Sequence, residues 1–152
     1  MKIAFDVDGV LREGRLGFFK LCTDMGTENS IEALKIETEA SMRPLLNPFL
    51  FATADDEIYA LSNCGSTHSA KQKRSWLYHF YGDRIKFISI EIANGLWKKD
   101  YCDAVAKAKV EIMLKKGIEV YFDDDPAIIK VMRTLTDKIK FIKYSSWVDE
   151  YY

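Results

Sequence analysis

Five short apolar segments recur along the chain, each bounded by polar or turn-forming residues. Segments of this length that are rich in Ile, Phe and Tyr are typical of β-strands. The first is almost continuously apolar, which is typical of a strand that is covered on both faces of a parallel sheet. The predicted strands are residues 2–6, 57–62, 84–90, 118–123 and 138–144.

Helical patterns lie between these strands. Strands that alternate with helices predict an α/β fold, in which a central parallel sheet of about five strands is covered by helices on both faces. The predicted helices are residues 69–82, with Ser69 as N-cap and Gly82 at the end; 100–117, with lysines in its last turn; 126–135, which opens with a proline; and a short closing helix, 145–152.

Residues 12–48 interrupt this alternation. The stretch 30–42 has a helical pattern with Ser30 as its N-cap. The segment is too long for a simple loop and too short for a second domain. We therefore expect a single domain over residues 1–152, with residues 12–48 forming a small helical cap over the edge of the sheet.

The composition is that of a globular domain. The 152 residues are 48% hydrophobic and 30% charged, and the net charge of −1 gives no general attraction to nucleic acid or to an anionic membrane. No apolar run approaches the length of about 18 residues that a membrane helix needs. The N-terminus reaches carboxylates too early for a signal peptide, and the three cysteines have no metal-binding spacing. These features favour a cytoplasmic protein.

Polar side chains stand at the ends of three predicted strands: Asp6, Ser62 and Asp123. The carboxyl ends of parallel strands meet at one edge of the sheet, where ligands bind in such folds. Asp6 and Asp8 point to the same side of an extended chain, and Gly9 permits a sharp turn after them. Two close carboxylates repel each other unless a cation lies between them. Mg²⁺ prefers such oxygen ligands.

A second acidic cluster, Asp123 to Asp125, follows the fourth predicted strand and should lie at the same edge. Three adjacent acids near Asp6 are unfavourable without a counter-ion. Asp125 has a simpler explanation, because an acidic residue before Pro126 stabilises the start of the following helix. Asp123 and Asp124 are less well explained in that way, and they remain candidates for the same metal site.

Four segments together resemble the motifs of the haloacid dehalogenase superfamily, in that family's order. FDVDGVL resembles the first motif, IYALSN the second, GLWKKDY the third and EVYFDDDP the fourth, over residues 3 to 126. The resemblance implies a Rossmannoid three-layer sandwich with a small cap or none. It also implies a phosphatase rather than a dehalogenase, because family members that act on carbon–halogen bonds lack the second aspartate of the first motif.

The resemblance further implies a role for each matching residue. Asp6 would be the nucleophile that forms an aspartyl-phosphate, and Asp8 the acid that protonates the leaving group and then activates water. Ser62 would bind the phosphoryl group, and Lys98, or alternatively Lys99, would neutralise charge. Mg²⁺ would be held by the Asp6 carboxylate, the Asp8 backbone carbonyl and the Asp123 carboxylate, with Asp124 binding the ion or supporting it through water.

The implied activity is Mg²⁺-dependent hydrolysis of a phosphomonoester, with a small phosphorylated metabolite such as a nucleotide as substrate. Arg12 and Asn63, which lie beside the first two motifs, are candidate substrate-binding residues. The segment 63–77 is similar to the corresponding segment of small nucleotidases and polynucleotide phosphatases. Its basic residues are His68, Lys71, Lys73 and Arg74. An exposed helix face with Trp76 and Leu77 in the core is the simpler explanation of this pattern.

Two other functions remain open. One is a polynucleotide end phosphatase, which the net charge does not favour. The other is a non-catalytic domain, either a receiver-like phospho-acceptor or a binding module. A receiver carries its phospho-acceptor on the middle strand, whereas the predicted strand 84–90 ends without an aspartate. A binding module usually lacks a catalytic position, whereas Asp6, Asp8, Ser62 and Asp123 are all present.

Overall fold

The protein is described by a computed structural model over residues 1–13, 42–92 and 98–144, with the backbone alone at Lys98. The strands are β1 (Lys2–Phe5), β2 (Glu57–Asn63), β3 (Ile85–Ile90), β4 (Val120–Asp123) and β5 (Lys140–Lys143). The helices are α1 (Thr67–Tyr81), α2 (Lys98–Lys116) and α3 (Pro126–Leu135), and a short 3₁₀-helix spans Pro48–Leu50.

The five strands form one parallel sheet in the order β3-β2-β1-β4-β5. Phe5 at the end of β1 pairs with Ala60 of β2 on one side and with Phe122 of β4 on the other. The predicted α/β class and the five-stranded parallel sheet are confirmed, with strand ends that differ from the predicted ones by one or two residues. The fold is Rossmann-like.

Side chains of β1 alternate between two hydrophobic clusters, one on each face of the sheet. Ala4 belongs to a cluster that α2 and α3 cover with residues such as Val105 and Ile129. Ile3 and Phe5 belong to the opposite cluster, which α1 covers with Trp76 and Leu77. Helices on both faces explain why β1 is apolar throughout. The three layers expected from the sequence are therefore present.

Two helix starts show how local chemistry sets the boundaries. Asp125 caps α3, since its Oδ1 accepts hydrogen bonds from the backbone of Ala127 at 2.9 Å and of Ile128 at 3.4 Å. This agrees with the expectation that Asp125 stabilises the start of the helix that follows it. The predicted N-cap of α1 was wrong. The cap is Ser66, whose Oγ accepts from the Ser69 backbone at 3.1 Å, so the helix begins three residues earlier than the Ser69 capping pattern indicated.

The two flanks of the predicted insert lie side by side. The backbone N–H of Glu13 donates to Arg43 O at 3.0 Å, and that of Leu45 donates to Leu11 O at 2.9 Å. The chain therefore leaves and returns at one place, directly after the first acidic motif. Residues 14–41 and 145–152 lie outside the described residues, and with them the predicted helix 145–152 and all but the last residue of the predicted helix 30–42. Among the helices that are described, none has the length and apolar character needed to span a membrane.

Candidate functional site

The strand order reverses between β1 and β4, and Asp6 and Asp123 stand on either side of this point. β2 and β3 extend the sheet from one side of β1, while β4 and β5 extend it from the other. Asp6 continues β1 by one residue, because its N–H donates to Phe122 O at 2.8 Å. Asp123 is the last residue of β4. Ligands of open α/β sheets bind at the carboxyl ends of strands on either side of such a reversal.

Lys109 of α2 joins these two aspartates. Its Nζ lies 3.1 Å from Asp6 Oδ1, 3.2 Å from Asp123 Oδ2 and 2.6 Å from the hydroxyl of Tyr121. The Tyr121 hydroxyl in turn donates to Asp123 Oδ2 at 2.6 Å. Lys109 is only 2% exposed. An ammonium group has three N–H donors, and each of them has an acceptor here.

The charges of this group depend on one another. Burial alone would lower the pKa of Lys109, but Asp123 and Asp6 outweigh burial and raise that pKa, so the lysine stays charged. Burial raises the pKa of Asp6 to about 7; Lys109 opposes this shift, and Asp123 and Asp8 reinforce it. Burial and Asp123 also raise the pKa of Tyr121, which remains a hydroxyl donor. A further cation beside Asp6 would lower its pKa and so keep its carboxylate fully ionised at neutral pH.

Three carboxylates converge where that cation would lie. Asp6, Asp123 and Asp124 each offer one oxygen, and these oxygens lie within 4.8 Å of one another. Ligands on opposite sides of an octahedral Mg²⁺ ion are about 4.2 Å apart, because each Mg–O distance is about 2.1 Å. An all-oxygen donor set of this spread fits Mg²⁺. The residues present are therefore suited to hold the ion.

Gly9 makes the approach of Asp124 possible. Its φ is +83°, a backbone conformation that residues other than glycine rarely adopt. A Cβ atom at this position would stand 2.5 Å from Cγ of Asp124, well inside van der Waals contact. The glycine of the first motif thus serves two purposes, a turn with positive φ and the space that the fourth motif occupies.

Asp8 is held by two cations, one on each carboxylate oxygen. Its Oδ1 accepts from Arg12 Nε at 2.6 Å, and its Oδ2 lies 2.8 Å from Lys73 Nζ. Burial would raise the pKa of Asp8, but Lys73 and Arg12 outweigh it and hold that pKa below its ordinary value. Lys73 Nζ also donates to Ser62 Oγ at 2.8 Å and to Asn63 O at 3.1 Å. Lys73 therefore links the first two motifs.

The two predicted substrate-binding residues have other contacts. Arg12 is 1% exposed; its guanidinium lies 5.6 Å from the ring centre of Trp76, and its Nε donates to Asp8. The role of Arg12 in substrate binding stays a prediction. The Asn63 amide donates to Tyr101 Oη at 2.8 Å and Ile92 O at 3.2 Å, and its Oδ1 accepts from Ile92 N at 2.8 Å. This side chain ties the end of β2 to the residues after β3.

Among the described side chains, the lysine that contacts Asp6 is Lys109. Lys98 is the first residue of α2 and its side chain lies outside the described residues, while Lys99 is exposed. Lys109 was not predicted from the sequence. Its signal was position, because Lys109 stands four residues from both Val105 and Met113, on the buried side of α2.

The same signal applies to Lys73 on α1. Lys73 falls between Ala70 and Trp76 in the buried stripe of that helix and is 5% exposed. The exposed-face interpretation was therefore wrong for Lys73. The interpretation holds for the other three basic residues of the segment, His68, Lys71 and Arg74, which are exposed. It also holds for Trp76 and Leu77, which are in the core.

No protein-family model matches the chain, and no curated protein matches it. Among solved structures, the chain is similar to the HAD domain of effector protein Lem4 from Legionella pneumophila, with a TM-score of 0.49 and 15% sequence identity. The alignment covers 99% of this chain and 90% of that chain. At this identity and TM-score, the similarity assigns neither an activity nor a residue role to this chain.

Proposed function

We propose that this protein is a Mg²⁺-dependent phosphomonoester hydrolase that acts through an aspartyl-phosphate on Asp6. One observation carries the proposal. Asp6 stands at the strand-order reversal within 3.1 Å of Lys109, its carboxylate grouped with those of Asp123 and Asp124, and Asp8 follows two residues later. Hydrolysis of a phosphomonoester requires a nucleophile, a proton donor and neutralisation of charge. This group of residues supplies all three.

In the first step, a carboxylate oxygen of Asp6 attacks phosphorus and the P–O bond to the leaving group breaks. The leaving oxygen takes a proton from Asp8. Lys109 holds the Asp6 carboxylate and offsets negative charge at the reacting centre. Mg²⁺, held by Asp6, the Asp8 carbonyl, Asp123 and Asp124, would offset the charge of the phosphoryl oxygens when bound.

Ser62 and Lys73 are suited to bind the phosphoryl group. Lys73 Nζ lies 2.8 Å from both Ser62 Oγ and Asp8 Oδ2. A phosphoryl dianion offers this ammonium a stronger partner than a single carboxylate does. Transfer of the Lys73 contact from Asp8 to a phosphoryl oxygen frees one carboxylate oxygen of Asp8 to carry the proton. Arg12 faces the core and keeps the other oxygen in place.

In the second step, the Asp8 carboxylate takes a proton from water, and the water oxygen attacks the phosphorus of the aspartyl-phosphate. The P–O bond to Asp6 breaks, inorganic phosphate leaves and the Asp6 carboxylate is restored. Asp8 is protonated again, ready for the next leaving group. The charge-neutralising role assigned to Lys98 on sequence is transferred in this proposal to Lys109, because Lys109 contacts the nucleophile.

A small phosphorylated metabolite, such as a nucleotide, is the proposed substrate. The receiver-like alternative is disfavoured by the order of the sheet. Receivers have the strand order 2-1-3-4-5, whereas this sheet has the order β3-β2-β1-β4-β5.

Phosphate release from a substrate panel tests the proposal. The panel contains p-nitrophenyl phosphate, nucleoside monophosphates, sugar phosphates and end-phosphorylated oligonucleotides. We expect release in millimolar Mg²⁺, none with a chelator, and none from Asp6→Asn. Turnover of the oligonucleotides alone would identify the polynucleotide phosphatase instead. A wild-type protein that releases no phosphate from any member would contradict the proposed enzyme.

A further inference from the structure

Two buried tyrosines occupy the same row of the sheet, on either side of Ala4. Ala4 pairs with Tyr59 of β2 and with Tyr121 of β4. The two tyrosines are 5% and 0% exposed, respectively. Each hydroxyl donates to a carboxylate two residues away, Tyr59 to Glu57 at 2.7 Å and Tyr121 to Asp123 at 2.6 Å. Because the strands are parallel, the first contact points away from the candidate site and the second points into it.

The Tyr121 hydroxyl makes the shortest of the three contacts to Lys109. The Nζ–Oη distance is 2.6 Å, compared with 3.1 Å to Asp6 Oδ1 and 3.2 Å to Asp123 Oδ2. The hydroxyl is neutral, so it fixes the ammonium without forming an ion pair. Lys109 is thereby held at similar distances from two carboxylates rather than collapsed onto one of them.

Removal of this hydroxyl would leave one N–H of a buried ammonium without an acceptor, which is costly because a buried donor has no bulk water to replace the lost partner. Asp123 Oδ2 would lose its neutral donor at the same time. Its other oxygen already accepts from the Asp125 backbone at 2.9 Å. The ammonium and Oδ2 would then draw together, which would move Lys109 away from Asp6 and place it in competition with a metal ion for Asp123.

We infer that Tyr121 is a positioning residue, whose hydroxyl keeps Lys109 shared between Asp6 and Asp123 and so leaves Asp123 available to a divalent cation. Nothing in the four-motif pattern assigns a role to this residue. The kinetic consequence, a lower kcat, rests on the proposed hydrolase activity. The effect on metal affinity does not, since it concerns binding of the ion alone.

Tyr121→Phe removes only the hydroxyl, and Tyr59→Phe is its matched control, with the same residue type, sheet row and carboxylate spacing. Calorimetric titration of the purified full chain with Mg²⁺ gives the affinity without reference to turnover. We expect Tyr121→Phe to weaken Mg²⁺ binding by about 10-fold, as the loss of a group that orients a metal ligand does. Tyr59→Phe should bind as the wild type does.

A double-mutant cycle separates positioning from general packing. If the hydroxyl acts mainly through Lys109, Tyr121→Phe should weaken Mg²⁺ binding much less once Lys109→Met is present, because only its hydrogen bond to Asp123 is then lost. An equal loss of Mg²⁺ affinity on Tyr121→Phe in the wild-type and Lys109→Met backgrounds would overturn the inference. It would also be overturned if Tyr121→Phe bound Mg²⁺ as the wild type does, or if Tyr59→Phe lost as much affinity as Tyr121→Phe. A protein that binds no Mg²⁺ overturns it too. A protein that releases no phosphate but shows the expected affinities refutes the hydrolase proposal and leaves this inference standing.

Discussion

The ammonium group of Lys109 lies 3.1 Å from Oδ1 of Asp6, although 103 residues separate the two in sequence. The contact spans two layers of the fold, since Asp6 follows the central strand β1 and Lys109 projects from α2 onto it. It brings the candidate nucleophile together with a cation that is 2% exposed. A buried lysine is retained in such a place only when carboxylates compensate its charge.

This contact predicts that Lys109→Met lowers kcat by about 100-fold, as the loss of a group that stabilises developing charge does. Steady-state kinetics with p-nitrophenyl phosphate measure the effect. The control is Lys107→Met, because Lys107 is an exposed lysine of the same helix. Lys98→Met should retain most of the activity. Loss of activity in Lys98→Met with a fully active Lys109→Met would return the role to the lysine assigned on sequence.

Gly9→Ala should impair the metal site as well as the fold. The new Cβ would overlap Asp124, and the positive φ of 83° would be strained. Gly117→Ala is the matched control, because Gly117 has a φ of +73° with nothing within 4 Å of the added atom. In denaturant melts, Gly117→Ala should lose about 1–2 kcal/mol of unfolding free energy from the positive φ alone. Gly9→Ala should lose more, because its Cβ also overlaps Asp124. Only Gly9→Ala should also bind Mg²⁺ more weakly, and equal Mg²⁺ affinities would contradict the proposed place of Asp124.

Arg12→Met should lower kcat more than it changes KM, because the guanidinium holds Asp8 and faces the core. Loss of a hydrogen bond to a charged group should also lower the unfolding free energy by about 1–3 kcal/mol. Arg12→Lys, which keeps the charge, should recover part of kcat. Arg43→Met, at an exposed arginine of the neighbouring flank, is the control. A KM that rises while kcat is unchanged would instead support the substrate-binding role expected from the sequence.

Glu57 should make stability depend on pH in the acidic range. Hydrogen bonds from Lys86 and Tyr59 lower the pKa of Glu57 from 4.5 to about 2 in the folded protein. The lowered pKa means that the stabilisation is present above pH 4.5 and is lost as pH falls toward 2. In thermal melts, Glu57→Gln should therefore lose less stability than the wild type between these pH values. Parallel pH profiles for the two proteins would exclude this contribution.

The sequence was sufficient for the sheet and for the acidic edge because both follow from short-range patterns. An apolar run that ends in a carboxylate places Asp6 and Asp123 at the carboxyl ends of buried strands, and parallel pairing of β1 with β4 brings these ends together. The spatial order of the strands was not predicted. It depends on long connections that leave no local trace in the sequence.

The cations of the site were harder to predict than its acids. Lys73 and Lys109 lie inside helices, among several lysines of similar spacing, and only burial distinguishes them. A lysine motif close to a helix start drew attention to Lys98 instead. Tyr121 looked like an ordinary strand residue, because its role depends on the direction of one hydroxyl. Such contacts between elements are set by packing, which a one-dimensional pattern does not contain.

A covalent phosphoenzyme is the most direct test of the central claim. The protein is mixed with Mg²⁺ and p-nitrophenyl phosphate that carries radioactive phosphorus, and the reaction is quenched in acid. The quenched protein is then treated with hydroxylamine, which cleaves acyl phosphates and spares phosphoserine. We predict a hydroxylamine-labile label on Asp6. The label should accumulate in Asp8→Asn, because p-nitrophenolate leaves without needing a proton, whereas hydrolysis of the phosphoenzyme still needs a base. The label should be absent from Asp6→Asn. Phosphate release without any labile label, or a label on Ser62, would contradict the account.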